Sequence, residues 1–239
     1  MKQFLTLNDL QNFDAQVALA KEIKANPYQF EELGKRKTLG LLFFNPSLRT
    51  RLSTQKAGRL LGMDVMVMNF SNEAWAIEYE HETIMKGLRS EHVKEAAQVV
   101  SQYCDVVGIR AFATLTDKEK DESEQVLQKF IQYASVPILN MESATAHPLQ
   151  ALADALTLTE LSLPKKPKVV LTWAPHPKAL PHAVGNSFAR MMEHQDADFV
   201  IANPEGYDLD PRITKDIPVV HNQAEALKGA DVVYAKNWS

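Results

Sequence analysis

Leu41-Leu42-Phe43-Phe44-Asn45-Pro46-Ser47-Leu48-Arg49-Thr50-Arg51 runs from four consecutive apolar residues through a turn into hydroxyls and guanidinium groups. The apolar part, Leu41 to Phe44, reads as a buried strand, and Arg51 to Leu61, ending at Gly62, reads as the helix that follows it. A strand that opens onto a helix presents free backbone N–H groups and the positive end of the helix dipole at the carboxyl edge of a sheet. That is a ready site for phosphate. Ser47 and Thr50 can cap the helix or donate to an anion, and Arg49 adds a planar fork that matches phosphate oxygens in pairs.

The same alternation continues outward. Val65 to Met68, Val106 to Arg110 and Val136 to Met141 are further short apolar runs, and Glu91 to Tyr103 and Lys118 to Ala134 are helical candidates between them. In the first of these, Val93, Ala96, Ala97, Val100 and Cys104 share one helix face, and Ser90 stands where an N-cap would. Pro148 to Leu161 reads as a helix leaving the first sheet for a proline-bounded linker, Leu163 to Lys168. A second series follows, with strands at Val169 to Trp173, Phe199 to Ala202 and Val232 to Ala235 and helices at Ala179 to Glu193 and Gln223 to Lys228. The pattern predicts an α/β protein of two doubly wound parallel-sheet domains, residues 1–150 and 151–239, joined by interdomain helices. The second domain is expected to be incomplete at the C-terminus, because the last strand has no covering helix after it.

Bulk properties exclude several classes. The 239 residues are 45% hydrophobic and 23% charged, enough for a large core, and the net charge of −4 is spread along the chain. No basic face for nucleic acid or a membrane is evident, so any anion site must be local. Cys104 is the only cysteine, which excludes an internal disulfide and a Cys-rich zinc site and reads as a small buried apolar residue. The N-terminus lacks the apolar stretch of a signal peptide and no run of about 18 apolar residues occurs, so the expected location is the cytoplasm.

Ser47-Leu48-Arg49-Thr50-Arg51 resembles the Ser-x-Arg-Thr-Arg turn of the aspartate and ornithine transcarbamylases, and His147-Pro148-Leu149-Gln150 resembles their His-Pro-x-Gln signature. Many members carry cysteine where this chain has Leu149. Glu73-Ala74-Trp75, Asn140-Met141-Glu142 and Tyr234-Ala235-Lys236-Asn237-Trp238 are similar to the branch acting on N-acetylornithine or N-succinylornithine, and the resemblance covers nearly the whole chain. It implies that residues 1–150 bind carbamoyl phosphate, with Ser47, Leu48, Arg49 and Thr50 on the phosphate and Arg110 reaching the same ligand. His147 is then the donor to the carbamoyl oxygen, and Gln150 orients the carbamoyl amide. Attack by an amine on that carbonyl places negative charge on oxygen, which donors such as His147, Arg110 and Thr50 stabilise. No covalent nucleophile, metal or organic cofactor is implied. Trp75, in the polar segment Ser71 to Gly87, would complete a neighbouring subunit's site in a homotrimer. The histidines outside the motifs, His81, His92, His182, His194 and His221, read as surface or satisfied residues.

By the same resemblance, residues 151–239 bind the acylated amino acid in arginine biosynthesis. Glu142, His176 and Lys236 contact it, with Lys236 partnering its α-carboxylate. Ser90 stands where the acetyl-specific enzymes carry an acidic residue; serine, with Arg89 beside it, would not repel a succinyl carboxylate. N-succinylornithine is therefore the expected substrate and N-acetylornithine the alternative. A different class stays open, a non-catalytic carbamoyl-phosphate-binding or assembly fragment, because further elements of the family are not in this sequence. The expectation is a piece of a longer enzyme.

Overall fold

The computed structural model describes residues 3–73, 76–80 and 89–239. Eleven strands are found among them: β1 Gln3–Phe4, β2 Thr38–Phe43, β3 Asp64–Asn69, β4 Ala76–Glu78, β5 Arg89–His92, β6 Val106–Arg110, β7 Ile138–Glu142, β8 Lys168–Trp173, β9 Asp198–Ala202, β10 Val219–Val220 and β11 Val232–Lys236. The α-helices are α1 Phe13–Ala25, α2 Arg49–Leu60, α3 Val93–Tyr103, α4 Lys118–Glu122, α5 Gln125–Tyr133, α6 Pro148–Glu160, α7 Ala183–Met192, α8 Pro211–Thr214 and α9 Gln223–Leu227. Among the described residues one sheet has the order β1-β7-β6-β2-β3, a second β10-β9-β8-β11, and β4 and β5 form a separate two-stranded pair; all the pairings are parallel.

β2 sits inside the first sheet because its side chains suit both faces. Leu39, Leu41, Leu42 and Phe43 are all buried, and burying each is worth about 1.5–3 kcal/mol. Its neighbours are β3 on one side and β6 on the other, so the chain order reverses at β2. An open α/β sheet leaves a crevice at such a reversal, at the carboxyl ends of the strands. Phe43 and Arg110 are register partners at that crevice. The second sheet repeats the arrangement at β8, between β9 and β11, where Trp173 and Lys236 are partners. Two glycines permit the close packing: a Cβ on Gly58 of α2 would stand 2.8 Å from Val65, and one on Gly40 of β2 would stand 2.6 Å from the Cys104 sulfur.

α6 joins the two sheets. Ala151 and Ala155 are fully buried in a core that also takes Leu7, Phe13 and Val17 from the N-terminal segment and Val169, Leu171, Phe188 and Trp238 from the second sheet and its cover. The N-terminal helix thus packs with the second sheet, although β1 pairs with the first.

Three expectations fail locally, each for a visible reason. Ser90 does not cap α3; it lies on β5, and His92 is the cap, with Nδ1 accepting the Lys94 N–H at 3.1 Å. The helix expected over Lys118 to Ala134 is two helices, parted at Glu124, which adopts φ 54°. That turn lets Glu124 Oε1 accept from Ser143 Oγ, Thr145 N and Thr145 Oγ1 at 2.8, 2.8 and 2.5 Å, a stronger set of bonds than one more helical turn supplies. The segment Ser71 to Gly87 is not all outside the core, since Ile77 and Glu78 of β4 are buried. No helix among the described residues is long and apolar enough to cross a membrane.

Candidate active site

The turn after β2 keeps its polar groups unspent. Leu48 is the N-cap of α2 and contributes no side-chain cap, so the N–H groups of Arg49, Thr50 and Arg51 have no intrahelical acceptor. Neither Ser47 nor Thr50 fills that role, and neither hydroxyl makes a hydrogen bond among the described residues. The two arginines divide the work. Arg51 donates to Asn69 Oδ1 and lies 5.0 Å from the centre of the Phe43 ring, which pins α2 to the end of β3. Arg49 is exposed and has no ion pair or hydrogen bond among the described residues.

Arg110 closes β6 and bridges this turn to β7. Only 6% exposed, it donates through Nη1 to the Pro46 carbonyl at 2.9 Å and through Nη2 and Nε to Glu142 Oε2 at 3.1 and 3.3 Å. Its guanidinium also lies 3.9 Å from the centre of the Phe112 ring. Asn45 helps shape the turn, its Oδ1 accepting the Phe112 N–H at 2.6 Å. No motif in the sequence marks that role.

His147 caps α6 and Pro148 occupies the first turn, where its missing N–H costs nothing. The ring Nδ1 accepts the Gln150 N–H at 3.4 Å, which assigns the imidazole proton to Nε2. Nε2 stands 3.6 Å from Glu142 Oε2. Burial, reinforced by the charges of Arg110 and Lys236, holds the His147 pKa down at about 4, so the ring is a neutral N–H donor near neutral pH. Burial pushes Glu142 above the usual carboxylate range, against the pull of Arg110 and Lys236. Burial lowers Lys236, with Glu142 opposing. These reciprocal effects place Lys236, from the last strand of the second sheet, within the electrostatic reach of the first sheet's crevice.

The other half of the molecule also holds His147 in place. Its backbone N–H donates to Ser187 Oγ of α7 at 2.7 Å, and Asn186 Nδ2 donates to the Thr145 carbonyl at 3.1 Å. With Glu124, these residues position the loop before the histidine, and their distance in sequence hides them. Gln150 turns its Nε2 to Asp154 Oδ1 at 2.8 Å. The four-residue spacing on a helix would have revealed that partner.

Not every expected residue joins the cluster. His176 is exposed and among the described residues bonds within its own turn, where Nδ1 either donates to the Lys178 carbonyl at 2.9 Å or accepts the Lys178 N–H at 3.1 Å, according to its tautomer. Ser90 is exposed on β5 and its hydroxyl makes no hydrogen bond among the described residues; Arg89 beside it is tied to Glu78 at 2.6 Å. Leu48 is 72% exposed, so only its backbone lies where an anion would. Trp75 lies outside the described residues.

An uncapped helix end beside a free arginine, next to a neutral imidazole donor and a buried guanidinium, suits an oxyanion joined to a polarised carbonyl. That pairing is the equipment of a group-transfer enzyme of the α/β class. The chain belongs to the aspartate/ornithine carbamoyltransferase family, whose carbamoyl-P binding domain it matches over residues 2–160. Among named relatives, the N-succinylornithine carbamoyltransferase of Bacteroides thetaiotaomicron is 48% identical over 239 residues, covering 100% of this chain and 75% of the relative. The N-acetylornithine carbamoyltransferase of Xanthomonas campestris pv. campestris is 38% identical over 255 aligned positions, covering 100% of this chain and 74% of the relative. A crystal structure of N-acetyl-L-ornithine transcarbamylase, a glutamate-to-serine mutant complexed with carbamyl phosphate and N-succinyl-L-norvaline, superposes with a TM-score of 0.92. It is 38% identical and covers 100% of this chain and 76% of that one.

Proposed function

We propose that this chain carries the carbamoyltransferase activity of arginine biosynthesis, moving the carbamoyl group of carbamoyl phosphate to the δ-amine of N-succinylornithine. The products are N-succinylcitrulline and inorganic phosphate. One observation carries the reading: the uncapped start of α2, with Arg49 unpaired among the described residues, opens beside Arg110 and the neutral Nε2–H of His147. The phosphate sits on the first-turn N–H groups with Ser47, Arg49 and Thr50 around it. The carbonyl oxygen faces His147, Arg110 and the Thr50 hydroxyl. The amine nitrogen bonds to the carbonyl carbon, charge builds on oxygen, and collapse breaks the carbon–oxygen bond to phosphate; the proton shed by the amine goes to phosphate or water.

Residues 1–150 hold carbamoyl phosphate in this reading, and residues 151–239 bring the acylated amino acid. Lys236 takes its α-carboxylate, supported by its place at the β8–β11 reversal and its coupling to Glu142. Glu142 and His176 are the remaining contacts, His176 by a rearrangement of its turn. Ser90 faces the acyl group. Freed from capping, it has no structural task, and the solved mutant that pairs a glutamate-to-serine change with a succinylated ligand supports that assignment. The active form is a cytoplasmic homotrimer in which Trp75 completes a neighbour's site; exposed Leu48 and Leu52 at the start of α2 and Met66 and Met68 on the edge strand β3 supply apolar contact area.

The test is phosphate release by the whole native polypeptide with each acylated ornithine, together with its mass in solution. A higher kcat/KM for N-succinylornithine is expected. Preference for the acetyl compound removes the Ser90 argument, and turnover of neither, with carbamoyl phosphate bound, leaves the binding-fragment reading in its place.

A further inference from the structure

We propose that Asp154 is a positioning residue that fixes which end of the Gln150 side-chain amide faces the cleft, and thereby selects a ligand bearing an N–H donor beside its carbonyl. The inference rests on the carbamoyl phosphate reading above and adds to it a residue that does not touch the ligand. An amide side chain offers a donor at one end and an acceptor at the other, and its neighbours decide which end points where. Gln150 Nε2 donates to Asp154 Oδ1 at 2.8 Å, one helical turn away on α6. Burial raises the Asp154 pKa while the Gln150 and Tyr234 contacts pull it back; with Oδ1 accepting from Nε2, the nitrogen end of the amide is taken and Gln150 Oε1 is left as the acceptor.

The surroundings of Asp154 strengthen the assignment. Its Oδ2 is buried without a partner at hydrogen-bond distance, and among the described residues no cation pairs with the carboxylate, whose Oδ1 takes the Gln150 amide. The Tyr234 hydroxyl of β11 faces it from the second sheet, beyond hydrogen-bond distance of Oδ2 but near enough to oppose the effect of burial on its pKa, and the Tyr234 ring packs on Phe188, 4.2 Å between ring centres. A buried carboxylate with a vacant oxygen costs stability, and a residue serving only to stiffen α6 would not need the charge. The charge does have a purpose if the outward Oε1 must accept. Carbamoyl phosphate carries an NH2 that can donate to it. Acetyl phosphate, with a methyl in that place, would leave Oε1 facing an apolar group, and a site built to hydrogen-bond rejects the analogue that lacks the donor.

The experiment compares Kd values for carbamoyl phosphate, acetyl phosphate and inorganic phosphate, by calorimetry on the whole native polypeptide and on Asp154→Asn. Asparagine keeps the shape but can present either end to Gln150, so the carbamoyl-over-acetyl ratio should fall at least fivefold while the inorganic phosphate Kd stays within twofold. Asp154→Glu, still an acceptor only, should keep most of the ratio. If Asp154→Asn does not fold, Asp154→Ser carries the same expectation. A folded Asn or Ser variant that discriminates as the wild type does overturns the proposal and leaves the carbamoyltransferase reading intact. A wild type that binds none of the three ligands instead overturns the reading beneath it, and this inference with it.

Discussion

The start of α2 and the cluster of buried Arg110 and Glu142 with half-buried His147 and Lys236 face one crevice yet are built in opposite ways. The first is open: its N–H groups are uncapped and Arg49 has no partner among the described residues. The second is closed on itself, with Arg110 held by Glu142 and the Pro46 carbonyl, and with His147 kept neutral by burial. The open half can take an anion without first breaking a contact. The closed half places its donors before any ligand arrives, and electrostatic stabilisation needs that preorganisation. Removing a member of the closed half should therefore harm folding and chemistry together, whereas removing one of the open half should harm binding alone.

Arg110→Met gives the largest effect. It deletes the donor nearest the turn and leaves Glu142 a buried carboxylate without its cation, a fault that costs about 3–5 kcal/mol. We expect kcat/KM to fall roughly 10³-fold and the urea midpoint to drop with it. Adding Glu142→Gln should recover much of the stability and none of the activity. If Arg110→Met is as stable as the wild type, the closed half is not held together as described.

His147 tests the same half through pH. Its folded pKa of about 4 lies below the ordinary value of 6.5. Above 6.5 the ring is neutral in both states and its contribution is fully present. As pH falls from 6.5 toward 4 the unfolded chain takes up a proton that the folded ring refuses, so stability is lost, on the order of 3 kcal/mol by pH 4. Glu142, raised by burial, pulls the other way: as pH drops through its folded value the folded state gains a proton first. The measurement is thus the difference between wild type and His147→Gln in urea unfolding at several pH values. That difference should shrink steadily below pH 6.5, and one that is flat from pH 7 to 4 contradicts a buried neutral ring.

The two halves were also unequally legible. The turn could be read because strand, turn and helix are adjacent in sequence, although that Ser47 and Thr50 leave the first-turn N–H groups uncapped was visible only in the structure. His147 and Gln150 could be read because Pro148 starts a helix and the spacing puts them on one ligand. Lys236 reached the site in the sequence only by resemblance, since nothing local says that β11 pairs with β8 and brings its last residue within electrostatic reach of Glu142. Ser90 suits an N-cap by residue type, and only the β4–β5 pairing shows that the chain is still a strand there and that His92 takes the cap. Glu124 breaks its helix for partners about twenty residues away, which no helical periodicity can announce. Long-range contacts, rather than local propensity, account for what was missed.

Arg49→Ala probes the open half. An exposed, unpaired arginine contributes nothing that folding needs, so the urea midpoint should move by less than about 0.5 kcal/mol. A charge-assisted contact to phosphate is worth about 1.5–3 kcal/mol, so the Kd for carbamoyl phosphate should rise roughly 10- to 100-fold, with inorganic phosphate weakened in parallel. A loss of stability would instead tie Arg49 to a fold contact and blur the contrast with Arg110.

Ser90→Glu should produce the smallest change, and one of a different kind. Ser90 is exposed at the start of β5, outside both halves, so neither stability nor carbamoyl phosphate affinity should respond. A carboxylate there would repel the free carboxylate of a succinyl group and leave an acetyl group alone. At partly exposed separations that repulsion is worth about 1 kcal/mol, so the kcat/KM ratio of succinyl to acetyl substrate should fall about fivefold through the succinyl value alone. An equal loss for both substrates would mean that the side chain blocks the cleft rather than sensing charge, and the acyl group would then have to be read elsewhere, with Arg89 tied to Glu78 as the nearest alternative.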